Sequence, residues 1–428
     1  MKDNVNSGGT IGNNIDPTRE VQNVKTENKS SDQHIGDCIR GSLMAGAAGD
    51  ALGYAVEFKS LNTILSHYGP KGITTFEIGY NGKALISDDT QMTLFTANGM
   101  LMGITRGYMR GIGSQPESYV SYAYLDWYNT QTRKMNQSAT NRARYTWLGN
   151  LPELACVRAP GNTCLNACEA MLQNREVKNN SKGCGGIMRV APMGLLLAGY
   201  MERNGRSPYT IQEMFEAGAK IAEVTHLHPL GFLPAGMITE LLFKLVPLSP
   251  YEAQRSISNL AEETIQTLDI AFKGKYQSEK RYLADLTRSA IQLAKSDIED
   301  RAAIKQLGEG WVGEEAWAIA LFCAIRHIDS MRDAIIASVN HDGDSDSTGS
   351  ICGNIMGAIY GYEEIKRQHL FCPAGREFKD TIELADIILA IADDLTTSCI
   401  ISEYSPIDAP AEEQWFERYC EMKPAGLK

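Results

Sequence analysis

Apolar residues recur at steps of three and four through long stretches of the chain, the spacing that gathers them on one face of an α-helix. Residues 211–224, 241–246, 257–272, 282–298, 317–327 and 382–395 all read this way. Two-residue alternation, the mark of a half-buried strand, is scarce, and its best case is the short run 72–78. The pattern predicts an all-α protein. No shift of composition divides residues 36–400, so one large multi-helical domain is expected there, with 401–428 as a C-terminal extension of it.

Residues 1–35 read differently. They hold six Asn, no aromatic residue and seven aliphatic or Met residues, too little to bury a core, so a disordered polar arm is expected. Two predicted helices carry small residues at every fourth position: Gly41, Ala45, Gly49 and Gly53 in one, Gly349, Gly353, Gly357 and Gly361 in the other. A glycine inside a helix costs about 1 kcal/mol relative to alanine. Close approach of another helix backbone is the simplest return.

Charge narrows the function. Among 428 residues, 41 Lys+Arg face 52 Asp+Glu, a formal net charge of −11, which argues against a nucleic-acid binder held by bulk electrostatics. The opening residues lack the apolar core of a signal peptide. The apolar runs near 195–197 and 237–246 are too short or broken for the roughly 20 residues of a spanning helix, so no membrane segment is expected. The ten Cys show no C-x-x-C pair and no disulfide framework; a reducing cytoplasm suits them, with Cys164 and Cys168 as two thiols on one helix face. The aromatic run Tyr119, Tyr122, Tyr124, Trp127 and Tyr128 has the spacing of a packed helix face, and the basic stretch 133–144 reads as a solvated loop, with steering of a modified protein or a diphosphate as the alternative.

Carboxylates cluster beside the small-residue rows. Asp50 and Glu57 are seven apart, so on a continuous helix they share a face. Ser87-Asp88-Asp89-Thr90 opens a helix-like run; one of these residues is explained as an N-cap, but capping leaves the second Asp unaccounted for. The third cluster is His341-Asp342-Gly343-Asp344-Ser345-Asp346-Ser347-Thr348-Gly349. Carboxylates at alternate positions with hydroxyls between them suit a hard cation. An EF-hand starting at Asp342 would need Gly at its sixth position and Glu at its twelfth, and Ser347 and Gly353 stand there instead. Asp88, Asp89, Asp344 and Asp346 brought together would hold one or two Mg²⁺ or Mn²⁺ ions; solvated, capped turns are the alternative.

Between these clusters, Ser181-Lys182-Gly183-Cys184-Gly185-Gly186 leads into an apolar run. Such a loop can offer backbone N–H groups to a phosphate, or simply be flexible. In Thr225-His226-Leu227-His228-Pro229, the proline disfavours helix at His228, and a hydrogen-bonded structural role is the ordinary fate of either His.

Taken in order, Gly-Asp-Ala-Leu-Gly with Glu57, Ser-Asp-Asp-Thr, Gly-Cys-Gly-Gly-Ile-Met-Arg-Val-Ala-Pro, Thr-His-Leu-His-Pro and Asp-Gly-Asp-Ser-Asp-Ser-Thr-Gly resemble the ADP-ribosylglycohydrolase family over roughly residues 36–365. The family includes the dinitrogenase-reductase-activating and ADP-ribosylarginine hydrolase types. The resemblance implies an all-α fold with a binuclear Mg²⁺ or Mn²⁺ centre at the base of an ADP-ribose cleft. Its metal ligands would be Ser87, Asp88, Asp89, Asp344, Asp346 and Ser347. Glu57 matches the family's active-site glutamate and, with Asp89 as the other candidate base, would carry catalysis. Ser181, Gly183, Gly185 and Gly186 match the loop that cradles the phosphates, and His226 matches a histidine at the adenosine side. This chain has Ser87 and Ser347 where the family usually has Thr, and Cys184 where it often has Asn.

The resemblance implies a hydrolase that removes ADP-ribose from a mono-ADP-ribosylated protein, with arginine the preferred acceptor by analogy. A second expectation is a binding protein that blocks an ADP-ribosylating toxin through residues 1–35, with or without hydrolysis.

Overall fold

In a computed structural model of the protein, the described residues (17–111, 113, 115–132, 145–398 and 409–420) form helices joined by turns. In chain order these are α1 (Pro17–Tyr54), α2 (Leu61–Tyr68), α3 (Asp88–Arg110), α4 (Pro116–Thr132), α5 (Asn162–Leu172), α6 (Ala191–Asn204), α7 (Ile211–Glu223), α8 (Pro229–Leu245) and α9 (Pro250–Ala271). There follow α10 (Gln277–Ala294), α11 (Asp300–Leu307), α12 (Gly313–Arg326), α13 (Met331–Val339), α14 (Ser345–Gln368), α15 (Phe378–Thr381), α16 (Ala385–Ser398) and α17 (Ala409–Tyr419). No strand occurs among the described residues, where the only strand-like pairings are isolated bridges, Ala84 with Ile382 and Gly183 with Val312.

The two small-residue rows meet each other at the centre. Helices α1 and α14 form the most extensive contact of the fold, with α12 and α13 against α14, and α6 and α16 against α1. A Cβ at Gly349 would stand 2.5 Å from the Gly49 carbonyl oxygen, and one at Gly41, Gly53, Gly353 or Gly357 would strike backbone of the facing helix. Backbone-to-backbone approach therefore explains glycine at these positions. Gly361 serves differently: at φ +77° and ψ 173° it breaks α14, and Asp37 accepts from the Tyr362 and Glu363 N–H groups at 3.1 and 3.0 Å to cap the resumed helix.

Elsewhere the helical spacing reappears with shifted ends. The apolar run at 241–246 is the end of α8, whose glycine- and proline-containing first half hides the periodicity. The expected helix at 382–395 begins only at Ala385, because Ile382 is extended and Leu384 turns the chain at φ +59°. Residues 72–78 are not a strand. Their backbone is held by Asn340, which accepts from Ile73 N–H at 2.8 Å and donates to Ile73 O at 2.9 Å, and by the Phe371 carbonyl, which accepts from Phe76 N–H.

Of the segment expected as a disordered arm, 1–16 lies outside the described residues, and from Pro17 the backbone continues α1, with no Gly or Pro between Thr18 and Ile35 to stop it. The basic stretch 133–144 also lies outside the described residues. Tyr124 and Trp127 are core, whereas Tyr122 faces outward and stacks on Tyr145. Cys164 and Cys168 are both buried free thiols. Helix α17 docks on α3 and α16: Trp415 Nε1 donates to Thr105 Oγ1 at 2.9 Å, and the Tyr419 hydroxyl to Asp394 at 2.7 Å. The run Cys184–Asn204 is long and apolar enough to cross a membrane, contrary to the sequence reading, but most of it is buried inside the protein. Its apolarity belongs to the core.

Candidate active site

Two helix N-termini point their first turns at each other. Ser87 is the N-cap of α3, its hydroxyl accepting from Asp89 N–H at 3.2 Å, and Asp88 and Asp89 fill the first turn. Asp344 is the N-cap of α14, its carboxylate accepting from Ser347 N–H at 3.3 Å, with Asp346 in the first turn. Acids at helix starts are locally favourable, because the exposed N–H groups there carry partial positive charge. Bringing two such starts together makes a buried acidic centre: Ser87, Asp88, Asp89, Asp344, Asp346 and Ser347 are all buried. Asp342 is not part of it. It is exposed and accepts from Leu61 N–H at 2.6 Å.

Asp50, near the C-terminal end of α1, ties the first half together. Its carboxylate accepts from Ser87 N–H at 2.9 Å and Thr90 N–H at 3.0 Å, and from the Thr90 hydroxyl. Asp50 and Glu57 do not share a helix face, because α1 ends at Tyr54. The Gly53 carbonyl accepts from both Val56 N–H and Glu57 N–H at 2.8 Å, a tight turn that delivers Glu57 to the acidic centre from beyond the helix.

The electrostatics are severe. Burial first, then the charge of Asp346, pushes the carboxyls of Asp88, Asp89 and Asp344 well above the usual carboxylate range. The same causes raise Glu57 to about 10 and Asp50 to about 7, the latter despite its hydrogen bonds. Asp89 Oδ2 and Glu57 Oε2 are buried with no hydrogen-bond partner. Among the described residues no three His, Cys, Asp or Glu side chains are closed around one point as an ion would require. The donor chemistry nevertheless fits hard divalent cations: oxygen ligands only from the acids and hydroxyls, orphaned carboxylate oxygens, and repulsion that a cation would relieve. Cys184 stands at the edge of this centre, its thiol donating to Asp344 Oδ2 at 2.7 Å.

The glycine loop forms the adjoining wall. Ser181 Oγ accepts from Gly183 N–H at 3.3 Å and from Thr163 Oγ1 at 3.0 Å, and Gly183 N–H and Cys184 N–H face Ser181 and Trp311 respectively. A short 3-10 turn, Cys184–Gly186, follows. His226 lies beneath the loop, 98% buried; a Cβ at Gly185 would stand 3.0 Å from its Cε1 and one at Gly183 3.3 Å from its Nε2. Burial, then Arg189, lowers its pKa to about 3, so the imidazole is neutral. Its Nδ1 pairs with Thr225 Oγ1 at 2.8 Å, and Thr225 in turn accepts from Arg189, which is fully buried over the Tyr124 ring. His228 is the N-cap of α8 and takes no part in the centre.

The structure thus gathers Glu57, Asp88, Asp89, Asp344 and Asp346 into one centre, flanked by Ser87 and Ser347. Ser181, Gly183, Gly185, Gly186 and His226 line or support the neighbouring loop. Sequence reasoning missed the anchoring by Asp50 and the Arg189–Thr225–His226 chain. Both residues sat inside noticed motifs, but their roles depend on partners 36 to 40 positions away.

A family model described as ADP-ribosylglycohydrolase matches residues 31–400. The chain is 22% identical over 215 residues to the ADP-ribosylhydrolase ARH3 of Mus musculus, an alignment covering 46% of this chain and 55% of that protein, so it spans about half of ARH3. It is 23% identical over 386 residues to the ADP-ribosylhydrolase ARH1 of Dictyostelium discoideum, covering 76% of this chain and 88% of that protein. A solved structure described as an ADP-ribosylglycohydrolase-related protein complex shares the fold at a TM-score of 0.54 and 19% identity, over 86% of this chain and 99% of that one. The chain belongs to the ADP-ribosylglycohydrolase family.

Proposed function

We propose that the protein is a Mg²⁺- or Mn²⁺-dependent hydrolase that removes ADP-ribose from a mono-ADP-ribosylated protein, with arginine as the acceptor. The observation that carries this reading is the buried acidic centre with the orphaned oxygens of Asp89 and Glu57, set beside a glycine loop. Ser87, Asp88, Asp89, Asp344, Asp346 and Ser347 would hold the cations. When bound, these ions neutralise the carboxylates and stabilise charge at the ribose carbon that loses its side chain.

The chain's own residues do the rest. Glu57 Oε2, free of any protein partner, is placed to take a proton from the attacking water as general base once its neighbours are neutralised. Glycine at 183 and 185 lets the loop lie directly on His226, where an added Cβ would stand 3.3 and 3.0 Å from the imidazole, and a diphosphate would be received on the loop's other face. Neutral His226 fixes that loop from below through contact, without adding charge. Asp50 holds the start of α3, and with it Asp88 and Asp89, in register with α14.

The toxin-blocking role of residues 1–35 has no support in the described residues, and hydrolysis is the reading we adopt. Replacing both Asp344 and Asp346 by Ala should abolish cation-stimulated release of ADP-ribose from a modified protein. Full activity in that double variant would remove the metal-based reading.

A further inference from the structure

Phe58 directly follows Glu57 and is 72% exposed. Its backbone sits at φ +63°, in the left-handed region that a bulky side chain seldom adopts. Such conformations persist where the surroundings enforce them, and they concentrate at functional positions. The Phe58 ring stacks on Trp311, with centroids 5.6 Å apart and planes 21° from parallel. Trp311 is itself 37% exposed.

The partner ring is attached to the opposite wall of the centre. The Trp311 carbonyl accepts from Cys184 N–H at 3.2 Å, and the next residue, Val312, bridges to Gly183. On its other side Gly310 packs along α14, where an added Cβ would meet Asp344 Cβ at 3.4 Å. The stacked pair therefore joins the Glu57 segment to the glycine loop and to Asp344, at the lip of the acidic centre. Neither ring is needed to hold a cation or a phosphate.

The geometry points to this pair as the surface that recognises a planar, cationic side chain on the substrate: the guanidinium of an arginine still joined to ADP-ribose. The inference rests on the hydrolase reading and names the feature that selects its acceptor. A guanidinium stacks on aromatic faces and is attracted by their electron density. Two cations of the surroundings are already engaged, Lys182 with Glu314 and Arg158 with Glu383, each at 2.7 Å, so neither competes for the rings. A serine or cysteine acceptor offers neither the plane nor the charge, so the pair discriminates by acceptor and is indifferent to the ADP-ribose half.

The test compares wild type, Phe58→Ala, Trp311→Ala and the ring-preserving Trp311→Phe on peptides carrying arginine-linked or serine-linked ADP-ribose in Mg²⁺. The expected result is a KM for the arginine-linked peptide raised about 10-fold in both Ala variants, the scale of a lost cation–π contact. Trp311→Phe should restore most of it, while the Kd for free ADP-ribose stays within about twofold. Equal effects on both linkages, or none, would overturn the proposal. Peptide affinities measured in a Glu57→Gln background keep the two readings separate. If wild type releases ADP-ribose from no peptide, the hydrolase reading fails, and the presence or absence of weaker arginine-peptide binding in the Ala variants still decides the role of the pair.

Discussion

Glu57 shows how far a residue-level reading reaches. Its distance of seven from Asp50 suggested a shared helix face, yet the doubly used Gly53 carbonyl ends α1 and swings Glu57 off the helix. Glu57 stands beside Asp346, Asp344 and Asp88 by another route than a shared helix face, because where a helix ends depends on local hydrogen bonds that spacing does not encode. Glu57→Gln keeps the shape and removes the base, so kcat should fall by at least about 100-fold. The Kd for ADP-ribose should be nearly unchanged, as calorimetry can verify. Asp50 is a positioning residue, and Asp50→Asn retains one acceptor oxygen while weakening its grip on Ser87 and Thr90. Both thermal stability and affinity for the cation should drop in that variant, whereas Glu57→Gln should leave its fold as stable as wild type or more so.

At the scale of elements, the centre depends on α1 and α14 lying backbone to backbone. The four-residue glycine steps announced that contact in the sequence, although only the folded chain shows that the two rows face each other. An exposed helical glycine changed to alanine ordinarily gains about 1 kcal/mol. At Gly353 the added Cβ would strike the Ala45 carbonyl. Gly353→Ala should therefore lose stability, by roughly 1–3 kcal/mol as for other overpacked cores. Gly161→Ala, at φ −63° with nothing within 4 Å of its Cβ, should be close to neutral. Denaturant unfolding of both variants checks the contrast; equal effects would contradict close approach as the reason for the row. The false strand at 72–78 was illegible for a related reason. Its backbone is satisfied by the Asn340 side chain, a partner 267 residues away that no local alternation reveals.

For the whole molecule, the acidic centre makes stability depend on pH and on cations together. Asp50, Asp88, Asp89, Asp344 and Glu57 hold protons in the cation-free fold at pH values where an unfolded chain has released them, above about pH 4. The fold thus binds more protons than the unfolded chain, and its stability must fall as pH rises. The loss sets in above about pH 4 and continues through about 7 for Asp50 and about 10 for Glu57. In EDTA the melting temperature should drop between pH 5 and pH 8. Mg²⁺ or Mn²⁺ should restore it, with the larger gain at pH 8, where cations need not displace protons. A melting temperature that rises with pH in EDTA, or a cation effect larger at pH 5, would mean that these carboxylates are not the centre of the site.

The central claim, that this acidic centre uses cations to cut ADP-ribose from arginine, is tested most directly by one incubation. Proteins carrying arginine-, serine- or cysteine-linked ADP-ribose are mixed with the enzyme in Mg²⁺ or EDTA, and free ADP-ribose is measured. The account predicts release from the arginine-linked protein in Mg²⁺ and essentially none in EDTA. Release that survives EDTA, or that favours the serine or cysteine linkage, would contradict it.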